Sequence, residues 1–257
     1  MTDRERLNNL SPGVALAWDL APAAARGPKP SLSLDVIVRK SIALADADGL
    51  DGVSMGKVAA ALGVTTMALY RYVPTKDDLI ALIGDTAVGP PPDLSGSGEW
   101  RFGVEQWSKS LLKAYRDHQW VLTVPVTSPP ALPNQLAWID RLLQVLGRTG
   151  LGARDQLSAA LFIDSYVRGW ATISGSLARR SPRRIRPFPA AVKERLDDRF
   201  PALAPIIAAG GLDIDRSAAA ADDQFTFAMT RILDGLAALT RVSGSGGEST
   251  VRHSHLR

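Results

Sequence analysis

A stretch of twelve residues, TTMALYRYVPTK at positions 65–76, concentrates side chains that can bind a polyanion. Arginine can form two parallel hydrogen bonds to guanine, while tyrosine, threonine and lysine can contact sugar and phosphate groups. Arg71 lies between Tyr70 and Tyr72, so two rings and a guanidinium would crowd the surface of one short helix. These residue types indicate non-covalent recognition of DNA rather than catalysis of a covalent step.

Two short helices joined by a tight corner would present these side chains. Ser54 is a good N-cap for the first helix, MGKVAAAL, and Gly63 is a good residue to end it. The pair Thr65–Thr66 can cap a second helix, which Pro74 ends. This pattern predicts a helix-turn-helix, with an ordinary helical hairpin of a bundle as the alternative.

The rest of the sequence predicts an all-α protein of two domains. A helix from about residue 34 to residue 48 precedes the hairpin, and Thr75 starts a further helix behind it. Prolines and glycines then interrupt the chain before a larger C-terminal helical bundle. We therefore predict an irregular N-terminal arm, a three-helix helix-turn-helix domain, a bundle and a disordered tail at residues 1–33, 34–87, 99–241 and 242–257.

The composition favours a soluble, cytoplasmic protein. Hydrophobic residues make up 46% of the 257 residues, so a sizeable core is expected, and the absence of cysteine excludes disulfides and thiolate metal sites. No run of about 18 uncharged apolar residues marks a membrane span, and the polar start is unlike a signal peptide. The net charge of +4 is weak evidence for nucleic-acid binding, because residues 1–90 carry nine Lys/Arg against ten Asp/Glu.

The sequence gives little support to other chemistry. Two of its three histidines, His253 and His255, fall in the predicted tail, so we expect no metal site and no cofactor. No serine, histidine and acid are set out for nucleophilic catalysis, so we expect no enzyme activity. Asp164 and Arg168, one helical turn apart, are interpreted as an ion pair, with ligand binding as the alternative. The arginines of 179–186 are interpreted as a solvated loop, with a DNA contact as the alternative.

The predicted bundle contains many aromatic residues for a chain that is only 6% aromatic. A cavity between helices, lined by aromatic side chains and a few polar groups, is the usual form of a small-molecule site. We therefore predict an effector pocket lined by Trp107, Trp120, Trp138, Phe162, Tyr166 and Trp170.

The segment SMGKVAAALGVTTMALYRYVPTKDDLIALI, preceded by VIVRKSIALADADGLDGV, resembles the DNA-binding domain of TetR-family bacterial transcription regulators. The resemblance covers about residues 34–85, and LYRYVPTKDDL is its most specific part. The C-terminal region, with VPVTSPPALPNQLAWIDRLLQVL, resembles the effector-binding domain of tetracycline-repressor-like members. The segment RGPKPSLS resembles the basic arm that precedes the first helix in similar regulators.

The resemblance implies roles for individual residues in the N-terminal domain. Gly56 departs from the family pattern, because many relatives carry a base-reading arginine there, and this leaves Arg71 as the only arginine on the implied reading surface. The DNA contacts implied by the resemblance are Arg26, Lys29, Ser54, Met55, Gly56, Lys57, Thr65, Thr66, Met67, Ala68, Tyr70, Arg71, Tyr72 and Lys76.

The resemblance also implies a homodimer. An apolar stripe near the C-terminus repeats at intervals of four and three residues, the spacing of packed helices, and we predict that it packs with the 155–178 helix against the same pair in a second subunit. Its residues are Phe225, Met229, Ile232, Leu236 and Leu239.

The implied function is a ligand-responsive repressor that binds a palindromic operator and is released by a small hydrophobic effector. Its partners would be double-stranded DNA, the effector and a second copy of the chain. A helical enzyme or small-molecule carrier that uses the hairpin as scaffold is the alternative.

Overall fold

A computed structural model describes residues 10–20, 32–126, 129–178, 189–193, 195–196, 199–210 and 218–245. These residues form helices and no strand, so the all-α prediction is confirmed. None of the helices in the described ranges is long and apolar enough to cross a membrane. The α-helices α1 to α11 are Pro12–Ala17, Leu34–Asp48, Met55–Leu62, Thr66–Tyr70, Lys76–Val88, Trp100–Asp117, Pro133–Leu146, Ala153–Ala178, Ala190–Lys193, Ala204–Ala208 and Ala218–Ser245.

Side-chain caps explain where the N-terminal helices begin. Ser54 accepts a hydrogen bond from the backbone N–H of Lys57 at the start of α3, and Thr65 accepts one from Ala68 at the start of α4. Gly63 ends α3 in the left-handed conformation, at φ 68°, which glycine adopts without steric cost. The limits of α3 and the start of α4 agree with those predicted from the sequence, but α4 ends at Tyr70 rather than at Pro74.

A compact core fixes the relative positions of α2 to α5. Each of these helices, and the turns between them, contributes side chains with almost no solvent exposure. Their burial supplies the hydrophobic free energy that holds α3 and α4 in place, since isolated helices of eight and five residues are not stable in water. The most deeply buried are Ile37, Val53, Val58, Leu69, Val73, Leu79 and Ile83.

The N-terminal arm contains a helix, which corrects the prediction that residues 1–33 are irregular. Ser11 caps α1 and Pro12 occupies its first turn, where the missing N–H costs nothing. The backbone N–H of Gly13 donates to Oδ1 of Asp78 at 2.7 Å, which docks α1 against the first turn of α5. The indole N–H of Trp18 donates to the carbonyl of Ala131 at 2.7 Å. Residues 10–20 thus connect the start of α5 to the segment that precedes α7.

Replacing Gly13 by alanine should detach α1. A Cβ atom at this position would lie 2.9 Å from Oδ1 of Asp78 and 3.1 Å from its Cα, and the backbone cannot yield cheaply. We expect a loss of about 1–3 kcal/mol in the free energy of unfolding, measured by urea denaturation. Gly84→Ala in α5 is the matched control, because its Cβ would meet open space and alanine favours the helix. Equal stability of Gly13→Ala and wild type would contradict this docking.

The Gly/Ser-rich link between α5 and α6 is held in place, although its composition predicts flexibility. Arg148 donates from Nη1 to Oγ of Ser97 at 3.0 Å and to the carbonyl of Gly98 at 3.1 Å, while Nη2 reaches the carbonyl of Leu94 at 3.3 Å. The Leu94 side chain is buried. One arginine therefore satisfies carbonyls along this segment, in addition to the hydrogen bonds that Ser95 donates to Asp93 within it.

The described residues fall into two compact units, one running to Ala171 and resuming at Leu236, the other spanning Thr172–Gly235. The first unit contains α1 to α7 and most of α8. The second contains α9, α10 and most of α11. Helix α11 continues to Ser245, so residues 242–245 are helical and not part of a disordered tail. The remainder of the predicted tail lies outside the described residues.

Candidate nucleic-acid interface

Helices α3 and α4 form the predicted helix-turn-helix. The backbone N–H of Val64 donates to the carbonyl of Ala59 at 3.0 Å and closes the turn between the two helices. Ala59 and Val58 are buried on α3, and Leu69 is fully buried on α4. Because Leu69 anchors one side of α4 in the core, the opposite side of this helix faces solvent.

The solvent-exposed face of α4 carries the side chains that were predicted to read DNA. Met67 is 70% exposed and Tyr70 is 44% exposed. Thr66 and Arg71 are also exposed, and Arg71 continues the helical backbone as the C-cap of α4. Residues at positions i, i+3 and i+4 of a helix share one face, so a flexible thioether, a phenol and a guanidinium project together.

Tyr72 differs from the prediction that it is exposed with its neighbours. Its side chain is half-buried, and its hydroxyl donates to the carbonyl of Leu32 at 2.9 Å. The ring therefore ties the chain segment before α2 to the end of α4. Leu32 itself is buried, whereas the predicted arm contacts Arg26 and Lys29 lie outside the described residues.

The start of α3 offers backbone groups more than side chains. Ser54 is occupied as the N-cap and Met55 is buried, so the side chain of Met55 belongs to the core rather than to a DNA-facing surface. Gly56 is exposed, and a Cβ added there would meet no atom within 4 Å. Lys57 is exposed, with Nζ donating to the carbonyl of Asp51 at 2.8 Å.

The first turn of α5 places a cation beside this surface. Lys76 is exposed at the first position of the helix. Thr75 caps the helix by accepting from the N–H of Asp78 at 3.0 Å, and its hydroxyl donates to Oδ2 of Asp78 at 2.6 Å. Asp78 is buried and also accepts a hydrogen bond from the N–H of Gly13 in α1. The hydrogen bonds of Asp78 to Thr75 and Gly13 therefore fix the backbone that carries Lys76. The cap is evident from the neighbouring sequence, whereas the contact with α1, 65 residues away, is not.

Asp85, near the C-terminal end of α5, was not singled out from the sequence. Its side chain lies at the junction between α5 and α7. Its carboxylate accepts from the N–H of Asn134 at 3.2 Å, from the N–H of Gln135 at 2.9 Å and from Nδ2 of Asn134 at 3.1 Å. These donors lie in the first turn of α7, where helices leave N–H groups unpaired. Burial raises the pKa of the Asp85 carboxyl, and the hydrogen bonds from Gln135 and Asn134 oppose that shift.

The structure does not bring the six predicted pocket aromatics together. Trp107 and Trp138 pack edge to face, with centroids 5.5 Å apart, and the indole N–H of Trp107 donates to the carbonyl of Trp138 at 2.9 Å. The indole of Trp138 donates to the carbonyl of Gly89 at 2.8 Å, and that of Trp120 donates to Oδ1 of Asp46 at 2.7 Å. These three tryptophans are buried and join α2 and the end of α5 to α6 and α7.

The other three predicted pocket residues lie on α8. Phe162 is 58% exposed, whereas Tyr166 and Trp170 are partly buried and stack with centroids 6.5 Å apart. Burial raises the pKa of Tyr166 to about 12.

A polar cluster joins α6 and α8 inside the first unit. Nη2 of Arg168 donates to the hydroxyl of Tyr115 at 3.2 Å, and the guanidinium lies 5.3 Å from the centre of that ring. Burial raises the pKa of Tyr115 to about 12. Burial also raises the pKa of Asp164, while the positive charge of Arg168 opposes this shift. The interpretation of Asp164 and Arg168 as an ion pair stays a prediction, and Tyr115 is a partner of Arg168 that the sequence did not indicate.

The predicted dimer stripe is divided between buried and accessible positions. Phe225 and Met229 are buried within a single chain, so their side chains are not available to a second subunit in this arrangement. Ile232 and Leu236 are partly exposed and Leu239 is exposed. Phe227, which is not part of the predicted stripe, is also exposed on α11. The spacing located the apolar face of the helix but not what covers it.

Two family models match the chain in succession. Residues 37–83 match the model of bacterial regulatory proteins of the tetR family, and residues 91–240 match the tetracycline repressor-like C-terminal domain. The HTH-type transcriptional repressor DrrR1 of Streptomyces coeruleorubidus is 36% identical over 256 residues, which cover 96% of this chain and 92% of that protein. An HTH-type transcriptional regulator of Saccharopolyspora erythraea is 32% identical over 66% of this chain and 72% of its own length.

Solved structures share the fold. Apo ActR from Streptomyces coelicolor matches with a TM-score of 0.66 and 22% identity, over 84% of this chain and 100% of that one. BioQ with its double-stranded DNA operator matches with a TM-score of 0.56 and 19% identity, over 80% and 99%. The two family models, the DrrR1 likeness and the capped helix-turn-helix agree on one conclusion, and none of them points to an enzyme. The chain belongs to the TetR family of bacterial transcriptional regulators.

Proposed function

We propose that this TetR-family repressor binds a palindromic operator as a homodimer and leaves it when a small hydrophobic molecule occupies its C-terminal domain. The observation that carries the proposal is the exposed face of α4, where Met67, Tyr70 and Arg71 project from a helix whose other side is anchored by Leu69. The major groove admits an α-helix, and Arg71 can pair with the O6 and N7 atoms of guanine there. Exposed Lys57 and Lys76 can contact the flanking phosphates.

A two-fold dimer would present two such faces to one side of the duplex. Half-sites of dimeric helix-turn-helix proteins lie about 34–36 Å apart, one turn of DNA. Helix α8 exposes Leu157, Leu161, Phe162 and Ile173, and Gly169 on the same helix has open space around it. An exposed apolar stripe with a small residue supports close packing of α8 against a second copy. We propose that the accessible part of α11, at Ile232, Leu236 and Leu239, joins this interface.

The polar cluster of Tyr115, Asp164 and Arg168, with the Tyr166–Trp170 stack on the same long helix, supports an effector site in the bundle. A mostly apolar site with a few polar groups suits a hydrophobic ligand that carries one or two hydrogen-bonding substituents. ActR, a structural relative, has been crystallised in complex with (S)-DNPA. We keep Phe162, Tyr166 and Trp170 as pocket candidates, and we assign Trp107, Trp120 and Trp138 to the support of the junction.

Effector binding would reach the reading surface through the junction between α5 and α7. Asp85 holds the first turn of α7, and Trp138 of α7 holds the carbonyl of Gly89 at the end of α5. A ligand shifts an equilibrium only by its differential affinity for the two states, and a change from 1:99 to 99:1 takes about 5.5 kcal/mol. Movement of α7 would pull on α5 and so on the helix-turn-helix. Such a regulator would work in the cytoplasm, where its DNA partner is.

A gel-shift titration with the DNA that flanks its own gene tests this proposal. We expect a retarded complex that survives excess unrelated DNA, and release of that DNA by at least one member of a panel of hydrophobic metabolites and antibiotics. Thermal shift with the same panel identifies direct binders. Tight binding of panel members with no effect on DNA binding, and no preference for any promoter fragment, would favour the alternative of a helical carrier or enzyme.

Lys76→Ala should weaken binding to all DNA sequences to a similar extent. Because Lys76 is exposed at the start of α5, it is suited to a phosphate contact that carries no sequence information. The slope of log K against log salt concentration should fall in magnitude by about one unit per subunit. Anisotropy titrations between about 50 and 200 mM salt measure this slope. Lys109→Ala, which removes an exposed cation on α6, is the control and should leave the slope unchanged. An unaltered slope in Lys76→Ala would refute the phosphate contact.

A further inference from the structure

Met67 occupies the centre of the exposed face of α4. It is 70% exposed and lies two residues from the fully buried Leu69, about 200° around the helix. Tyr70 and Arg71 follow it by three and four residues, so they flank it on either side. Single exposed apolar side chains are common on protein surfaces, and exposure alone identifies no contact. The position of Met67 between two hydrogen-bonding side chains is the informative feature.

The chemistry of the major groove gives this position one natural partner. Base edges in the groove present hydrogen-bond donors and acceptors, with a single apolar feature, the C5-methyl group of thymine. A thioether is a weak acceptor and no donor, so Met67 cannot donate a hydrogen bond to guanine and accepts only weakly from the amino groups of cytosine and adenine. Its unbranched, polarizable side chain adapts well to a small apolar surface.

We infer that Met67 is a specificity-determining residue that reads a thymine methyl group in each half-site of the operator. The inference rests on the proposed function, because it requires α4 to enter the major groove. Arg71 would then select a guanine, and Met67 would select a nearby thymine. Thr66 is also exposed and carries a methyl group, so the experiment has to distinguish the two residues.

Uracil substitution in the DNA isolates the contact. A duplex selected from a random library by the wild-type protein is prepared in two forms, one with thymine and one with deoxyuridine throughout. The second form lacks only the C5-methyl groups, and affinity for both is measured by fluorescence anisotropy at one salt concentration. Wild type should bind the uracil duplex about fourfold more weakly per half-site, the factor that corresponds to about 0.8 kcal/mol for one buried methyl group.

Variants assign the methyl contact to a residue. Met67→Ala should bind the thymine duplex as weakly as wild type binds the uracil duplex, and it should no longer distinguish the two. Thr66→Ser, which removes a methyl group but keeps the hydroxyl, should retain the discrimination. Phe102→Ala, at an exposed apolar residue of α6, is the control for loss of surface hydrophobicity and should behave as wild type.

Three results would overturn the inference. Equal wild-type affinity for both duplexes would exclude methyl reading while leaving specific DNA binding intact. Discrimination that persists in Met67→Ala and disappears in Thr66→Ser would move the contact to Thr66. Failure of the library to yield any enriched duplex would overturn the proposed function itself, and the inference with it.

Discussion

Replacing Trp107 by alanine should lower the free energy of unfolding by about 3–5 kcal/mol. Trp107 is 1% exposed, packs edge to face on Trp138 and donates its indole N–H to the carbonyl of that residue. The substitution would leave a large cavity at the junction between α6 and α7 and remove the hydrogen bond from the Trp107 indole. Urea denaturation at one fixed protein concentration measures the loss, since dimerisation would make the stability concentration-dependent.

A residue of the same helix provides the control for this prediction. Phe102→Ala removes an aromatic ring that is 52% exposed, so it should cost less than about 1 kcal/mol. The comparison also decides between the two roles considered for Trp107. A loss below about 1 kcal/mol in Trp107→Ala, together with an altered response to ligands, would identify it as a lining residue of the effector pocket instead.

Arg71→Ala should reduce affinity for the operator about 5- to 150-fold per half-site, the range that corresponds to about 1–3 kcal/mol for a bidentate contact with guanine. Arg71 is exposed, so the fold should remain intact, and circular dichroism melts should superimpose on those of wild type. Anisotropy titrations with the selected duplex and with a scrambled duplex measure the effect. Wild-type discrimination between these duplexes in Arg71→Ala would show that α4 does not read bases through this residue.

Arg71→Lys separates base reading from charge. Lysine keeps the positive charge but lacks the planar fork that forms two parallel hydrogen bonds. We therefore expect Arg71→Lys to retain affinity for the scrambled duplex and to lose much of its preference for the selected one. Restoration of full preference by lysine would reassign Arg71 to a phosphate contact.

Local sequence signals were sufficient to predict the helix-turn-helix. Each signal acts on residues close to it in the chain. These signals are the helix caps Ser54 and Thr65, the left-handed turn at Gly63 and the proline at position 74. The limits of α3 and the start of α4 follow from these residues alone, whereas α4 ends at Tyr70, before the predicted stop at Pro74. The exposed face of α4 follows as well, because Leu69 fixes which side of a short helix is buried.

Features that depend on distant partners could not be predicted in this way. Asp85 and Asn134 are separated by 49 residues, and nothing near either of them indicates the other. The helix α1 was hidden by its own proline, which reads as a helix breaker although the first turn accepts it.

The apolar stripe of α11 illustrates the same limit. Only Phe225 and Met229 of its five residues are buried, and these two are covered by their own chain, while the fully buried Leu233 lies beside the stripe. Periodicity shows that a face is apolar but does not show whether one chain or two will cover it. The tryptophans show the same limit of prediction from sequence, because aromatic content does not distinguish a packed junction between helices from a ligand pocket. The indole N–H groups of Trp107 and Trp138 donate to backbone carbonyls, which only the structure reveals.

The specificity ratio of the wild-type protein tests the central claim most directly. Affinity for a duplex selected from a random library is compared with affinity for a scrambled duplex of the same length and composition, at one physiological salt concentration. A dimer that reads two half-sites through α4 predicts a ratio of about 10³ or more, together with two-fold symmetry in the selected sequence. A ratio near one, with binding that depends on salt alone, would contradict operator recognition by this helix-turn-helix.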